Sequence, residues 1–174
     1  MSDASEKTIL IVDDEPDVRL FMQTILEDAG FRVMLASNGK QALDRVKERR
    51  PDAISLDLVM PKMSGLKFYR YIKKHKDNRD IPFVIVTAHA KDEFGTKDLQ
   101  ELQEEAAGEN LRFLEKPVKP AAYVDAIRAA TGLTSPDVEP AGQSDLREQV
   151  KSRLGDADED KLREALRILS RKKE

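Results

Sequence analysis

Short apolar runs alternate with stretches of helical period along most of this chain. The runs are Ile9 to Val12, Val33 to Ala36, Ala53 to Leu56, Phe83 to Val86 and Leu111 to Leu114. Continuous apolar runs of this length, without clean alternation, suit strands buried on both faces of a parallel sheet. Between them, Val18, Phe21, Met22, Ile25 and Ala29 share one helical face, with Gly30 as a stop. Leu43 and Val46 mark a second helix that begins after Asn38, an N-cap residue type. Leu66, Tyr69 and Ile72 mark a third, Leu99, Leu102 and Ala106 a fourth, and Tyr123, Ile127 and Ala130 a fifth. Strand alternating with helix in this way predicts βαβ units and a doubly wound α/β sheet.

The pattern then changes. Gly132, Pro136, Pro140 and Gly142 interrupt a stretch with few bulky apolar residues, which reads as a linker. Beyond it, Leu146, Val150 and Leu154 recur at spacings of four, and Leu162, Ala165, Leu166 and Leu169 share one face after Gly155. The acidic run Asp156 to Asp160 and the basic Arg171 to Lys173 match the dipole of that second stretch at its two ends. The division predicted is a main domain over 1–132, a linker over 133–143 and a helical extension over 144–174.

Composition narrows the function. A net charge of −3 leaves no basic excess to drive nucleic-acid binding by counterion release. Cysteine is absent, which excludes a disulfide framework, a thiolate nucleophile and a zinc finger. The polar, acidic Met1 to Glu6 is no signal peptide, and no apolar run approaches the ~20 residues that cross a bilayer. A soluble, cytoplasmic protein is expected.

In an open α/β sheet, ligands bind beyond the carboxyl ends of the strands. Asp13 and Asp14 follow the first run, Asp57 the third, Thr87 the fourth and Lys116 the fifth. Singly, each has an ordinary reading as a turn, a cap or a strand end. Together at strand ends they form a constellation. Three gathered carboxylates repel one another and need a hard divalent cation with oxygen ligands, such as Mg²⁺. Lys116 can pair with a carboxylate or a transferred phosphoryl group, and Thr87 offers a hydroxyl to the same oxygens. The set suits phosphoryl transfer to a carboxylate nucleophile.

Ile11-Val12-Asp13-Asp14-Glu15, Asp57-Leu58-Val59-Met60-Pro61 with Gly65, Val86-Thr87-Ala88 and Phe113-Leu114-Glu115-Lys116-Pro117 stand in order along the chain. In these blocks the sequence resembles the response-regulator receiver domain over about Lys7 to Thr131. The resemblance implies a flavodoxin-like sheet of order 2-1-3-4-5 and a two-component signalling role. It implies Asp57 as phospho-acceptor, with Mg²⁺ held by Asp13, Asp14, Asp57 and the backbone carbonyl of Val59. Lys116 would pair with the phosphoryl oxygens, with a cis bond before Pro117, and Thr87 and Phe113 would be a switch pair. The donor implied is a phosphohistidine on a sensor histidine kinase or a histidine phosphotransfer protein. The only catalysis implied is that of the domain's own phosphorylation and dephosphorylation. One departure stands out: the segment from Thr87 to Lys116 is long, with Gly108-Glu109-Asn110 before the fifth run, so an unusual fourth helix or following loop is expected.

Other readings fit less well. A haloacid-dehalogenase-type hydrolase expects a second Asp where Val59 stands. An EF-hand needs Gly where Val18 stands, and Pro16 suits the first position of a helix. The scattered glycines assemble no phosphate-cradling loop of a kinase. A helix-turn-helix reading of the extension would bring Asp156, Asp158, Glu159 and Asp160 toward DNA phosphates, and its mixed charges do not suit a membrane surface. No nucleic-acid or membrane partner is therefore expected. His75 and His89 read as surface residues, His89 lying two positions past Thr87. The extension reads either as a helical hairpin, packed on a protein partner, a second copy or the main domain, or as a solvated tail. A signalling acceptor and a metal-dependent aspartyl phosphatase share this chemistry and differ in turnover.

Overall fold

The computed structural model describes residues 3–88, 93–109 and 111–133, the side chains of 93–96 excepted. After a short 3₁₀ turn, Ala4–Glu6, strands and helices alternate. The order is β1 (Thr8–Val12), α1 (Pro16–Asp28), β2 (Arg32–Ala36), α2 (Gly39–Glu48), β3 (Ala53–Leu56), α3 (Gly65–Lys74), β4 (Phe83–Thr87), α4 (Glu93–Glu105), β5 (Arg112–Glu115) and α5 (Pro120–Ala130). The strands form one parallel sheet in the order β2-β1-β3-β4-β5. Val12 is in register with Ala36 on one side and Leu56 on the other, so β1, β2 and β3 end at one level.

Local chemistry explains the helix ends. Pro16 and Pro120 open α1 and α5, where a missing N–H costs nothing. Asn38 caps α2, its side chain accepting from Gln41 N at 2.9 Å, and Ser64 Oγ accepts from Lys67 N at 3.4 Å to cap α3. At the end of α1, Gly30 takes a left-handed φ of 92°. There Gly30 N donates to Glu27 O and Phe31 N to Leu26 O, each at 2.9 Å, closing a Schellman motif with Phe31 buried beside it.

Side chains alternate across the sheet. Leu10, Val12, Ile54, Leu56, Phe83 and Ile85 pack with Ala42, Val46, Leu66, Phe68, Tyr69, Ile72 and Leu102, from α2, α3 and α4. Ile9, Ile11, Ala53, Val84 and Val86 pack on the other side with Met22, Leu26, Tyr123 and Ile127, from α1 and α5.

Three expectations need correction. Burial on both faces holds for β1, β3 and β4 but not for β2 and β5, which are edge strands with a neighbour on one side only. β5 runs from Arg112 to Glu115, one residue later than the apolar run suggested, and Phe113 is 39% exposed. In α1, Phe21 is 47% exposed, and the buried residues are Met22 and Leu26, a spacing of four that leaves Phe21 beside the core rather than in it.

The chain divides into two compact units, Met1–Ser135 and Pro136–Glu174. The expected linker over 133–143, apart from Leu133, and the helical extension over 144–174 lie outside the described residues, as does His89. No helix among the described residues is long and apolar enough to cross a membrane.

Candidate functional site

The strand ends bring the acidic residues together. Asp13 N donates to Ala36 O at 3.1 Å and Asp57 N to Val12 O at 3.0 Å, so both residues extend the ladder by one step. Lys116 N donates to Thr87 O at 3.1 Å, which holds the lysine level with the end of β4. Asp13 and Asp57 are buried and Asp14 is half-buried. One ligand oxygen from each of Asp13, Asp14 and Asp57 lies within 4.8 Å of the other two. That separation and that all-oxygen donor set fit a hard divalent cation of the size of Mg²⁺.

Two of the three carboxylates are oriented by backbone N–H groups. Asp13 Oδ1 accepts from Glu15 N at 2.9 Å, and Asp57 Oδ1 from Val59 N at 3.2 Å. Lys116 Nζ stands 2.7 Å from Asp13 Oδ2, 3.3 Å from Asp57 Oδ2 and 3.3 Å from Glu15 Oε1. Burial pushes the Asp57 carboxyl up to about 6, helped by the Asp13 charge, against the pull of Lys116 and the Val59 N–H. For Lys116, burial favours the neutral amine, but the Asp13 contact and the charges of Asp57, Asp13 and Glu15 prevail and raise its pKa. A lysine cation therefore stands against three carboxylates, and negative charge is left uncompensated.

The β3–α3 loop is shaped around Asp57. Gly65 N donates to Leu58 O at 2.9 Å, and a Cβ on Gly65 would collide with the carbonyl of Asp57 and the Cα of Leu58. Lys62 in the same loop takes a left-handed φ of 69°, a conformation uncommon outside glycine. Lys116 is followed by a cis bond to Pro117, as the sequence resemblance implied.

The remaining expected residues fall as follows. Thr87, buried, is the last residue of β4 and lies in register with Glu115, while Phe113 is in register with Ile85 and points outward. Val59 reaches the site through its N–H. His75 is exposed, with Nδ1 2.7 Å from Tyr71 O, and belongs to no site. Two residues were missed. Glu15 approaches Lys116, and Arg19 Nη1 donates to Asp13 O at 2.6 Å. Neither has a sequence signal beyond its nearness to the Asp-Asp pair, because both contacts depend on how α1 leaves β1.

The long segment between Thr87 and Lys116 is tied to α3. Arg70 Nη2 donates to Glu101 Oε2 at 2.9 Å and Arg70 Nε to Glu105 Oε1 at 2.8 Å. Glu109 accepts from Tyr69 Oη at 3.1 Å and pairs with Lys73 Nζ at 2.8 Å.

Comparison with known proteins agrees with this geometry. The sequence profile of the response regulator receiver domain matches residues 9–128. The phosphate regulon transcriptional regulatory protein PhoB of Pseudomonas aeruginosa is 32% identical over 130 residues, which is 75% of this chain and 54% of that protein. The polar-differentiation response regulator DivK of Brucella anthropi is 31% identical over 127 residues, 72% of this chain and 97% of that protein. The chain thus spans about half the length of the phosphate-regulon regulators it matches, and nearly all of the length of DivK. Among solved structures, the receiver domain of sensor histidine kinase PA1611 from Pseudomonas aeruginosa, with a magnesium ion coordinated in its active-site cleft, superposes with a TM-score of 0.63 at 30% identity, covering 72% of this chain and 98% of that one.

Proposed function

This chain belongs to the response regulator receiver domain family, and on that footing we propose that Asp57 accepts a phosphoryl group from a phosphohistidine donor in a Mg²⁺-dependent reaction. The observation that supports this most is the buried Asp57 carboxylate, 3.3 Å from Lys116 Nζ and clustered with Asp13 and Asp14. A carboxylate with a pKa raised to about 6 is predominantly ionised at pH 7 and is more basic than an ordinary Asp.

In the reaction an Asp57 oxygen forms a bond to phosphorus as the phosphorus–nitrogen bond of the donor breaks. The electron pair leaves with the imidazole, which takes a proton. Asp13, Asp14, Asp57 and the carbonyl of Val59 would hold the cation, which supplies charge neutralisation for the incoming anionic group when bound. Lys116 moves from its carboxylate partners onto the phosphoryl oxygens, and Thr87 donates its hydroxyl to them.

The group adds about −1.5 to −2 charge and three strong acceptors. Drawing Thr87 toward it vacates space beside β4 into which Phe113, now 39% exposed, turns. This is a two-state packing change biased by one local hydrogen bond. The donor is a sensor histidine kinase or a histidine phosphotransfer protein, and the output is a protein partner or self-association through residues 144–174. The chain acts as a once-per-cycle acceptor; an aspartyl phosphatase with the same residues would release phosphate continuously.

Incubation with acetyl phosphate and Mg²⁺, followed by intact mass, tests the reading. One phosphoryl increment is expected on the wild type, lost with EDTA and lost in Asp57→Asn. Wild-type labelling of Asp57→Asn would overturn the acceptor, and continuous phosphate release would favour the phosphatase.

A further inference from the structure

We propose that Arg19 is a positioning residue for the cation site, its guanidinium fixing the Asp13 carbonyl and thereby the direction in which the Asp13 and Asp14 carboxylates face. The inference rests on the reading of Asp13, Asp14 and Asp57 as a Mg²⁺ site.

Arg19 sits one turn into α1, where its N–H donates to Glu15 O at 3.0 Å. Helical side chains lean toward the helix N-terminus. From this position the arginine stem therefore reaches back over the first turn to the end of β1. Its Nη1 donates to Asp13 O at 2.6 Å, a short, charge-assisted and part-buried hydrogen bond. Asp13 follows the last paired residue of β1, Val12, so its carbonyl lies beyond the regular ladder and takes its partner from a side chain.

The consequence follows from peptide planarity. The Asp13 carbonyl, the Asp14 nitrogen and the Asp14 Cα lie in one rigid unit. Fixing the carbonyl therefore fixes the plane of that peptide and where the Asp14 Cα stands, the point from which its half-buried side chain departs. The Asp13 N–H is on Ala36 O, Oδ1 accepts from Glu15 N, and Oδ2 is ion-paired with Lys116 Nζ but accepts no hydrogen bond. Arg19 also carries a permanent positive charge, which by itself disfavours a nearby cation, so the orienting bond and not the charge supplies the expected effect. Because its bond goes to a backbone oxygen, it leaves the carboxylate oxygens free for a cation.

Arg45 provides an internal control. Its Nε also reaches from a helix to a strand carbonyl, donating to Leu35 O in β2 at 3.1 Å, while its Nη1 pairs with Glu48. A purely structural role would make Arg19 and Arg45 equivalent for metal binding.

The test is Mg²⁺ titration of the full chain by calorimetry, with thermal melts of the same samples, for wild type, Arg19→Met, Arg19→Lys and Arg45→Met. Removal of groups that orient metal ligands weakens binding by 10–100-fold in general. The expectation is a Kd about tenfold weaker for Arg19→Met, at the low end of that range. Arg19→Lys should recover part of the loss, and Arg45→Met should bind as wild type. Wild-type affinity in Arg19→Met, or an equal loss in Arg45→Met, overturns the proposal. Should Arg19→Met not fold, Arg19→Gln, whose shorter side chain cannot span the same reach to the Asp13 carbonyl, takes its place with the same expected loss and the same overturning result. A wild type that binds no Mg²⁺ defeats the cation site itself, whereas a wild type that binds with Arg19→Met unaffected defeats only the role of Arg19.

Discussion

Lys116 is held most closely by Asp13, with 2.7 Å between Nζ and Oδ2. The lysine side chain is 9% exposed and that of Asp13 is fully buried, so the attraction is weakly screened. Removing the ammonium leaves buried carboxylates facing one another. Loss of one partner of a buried pair costs about 3 kcal/mol or more. Lys116→Met should therefore unfold more easily at pH 7 without divalent cation, by about 3 kcal/mol. Because Lys116 lowers the pKa of Asp57, its loss lets Asp57 take up a proton more readily, and the deficit should shrink toward pH 5. Urea melts at the two pH values, with and without Mg²⁺, check this, and Mg²⁺ should restore part of the loss.

Asp57 titrates in the opposite sense to a salt-bridged surface carboxylate. Its pKa rises from 3.8 in the unfolded chain to about 6 in the fold. Between those values the folded state binds more protons than the unfolded state, so this group makes stability fall as pH rises. Above pH 6 the penalty is constant, at about 3 kcal/mol from a shift of some two units. In EDTA, Asp57→Asn should be more stable than wild type at pH 7 by up to that amount. The advantage should fade as pH falls from 6 to 4, and it should also fade when Mg²⁺ stabilises the wild type. Equal melts at pH 7 in EDTA would refute the assignment of strain to Asp57.

Gly65 should tolerate no side chain. A Cβ there meets the Asp57 carbonyl and lies 2.7 Å from the Leu58 Cα, both backbone atoms that have no rotamer to change. Overpacking of this kind costs about 1–3 kcal/mol and shifts backbone. Gly65→Ala should lose stability in that range and label with acetyl phosphate more slowly, because the displaced atoms belong to Asp57, the proposed acceptor, and to Leu58 beside it. Measuring labelling rate beside stability separates this from simple unfolding.

Thr87→Ala should accept the phosphoryl group yet fail to pass the signal on. Thr87 ends β4 while Phe113 lies on β5 opposite Ile85, so the two are linked through one strand pair. Amide shifts near Phe113 after phosphorylation should be large in wild type and small in Thr87→Ala. Equal shifts would show that Phe113 responds by another route.

The ties between α3 and α4 should respond to salt. Arg70 and its glutamates are each more than a third exposed, so their attraction is screened by ions. Arg70→Ala should speed amide exchange over 101–105, and high salt should do the same to wild type. Tyr69 keeps its neighbour Glu109 in either case, since Tyr69 is buried and its hydroxyl is held at 3.1 Å. Exchange unaffected by either change would show that apolar packing around Leu102 alone holds α4.

What the sequence determined by itself was the alternation of strand and helix, the cap at Asn38 and the Pro16 start, and the placing of Asp13, Asp14, Asp57, Thr87 and Lys116 at strand ends. Those features are local: they depend on short continuous apolar runs, on a period of 3.6 residues and on the chemistry of a single helix end. Tertiary structure decided the rest. Apolar runs of similar composition became central strands or edge strands only through the sheet order, which is why Phe113 is exposed while Phe83 is buried. Phe21 left the core because the sheet accepts one face of α1, centred on Met22 and Leu26. Lys116 divides itself among Asp13, Asp57 and Glu15, and Tyr69 meets Glu109 across 40 positions, because crossovers bring distant segments together at angles that no local pattern encodes. The bond from Arg19 to Asp13 is short in sequence but equally hidden, since it exists only once α1 has folded back over the end of β1.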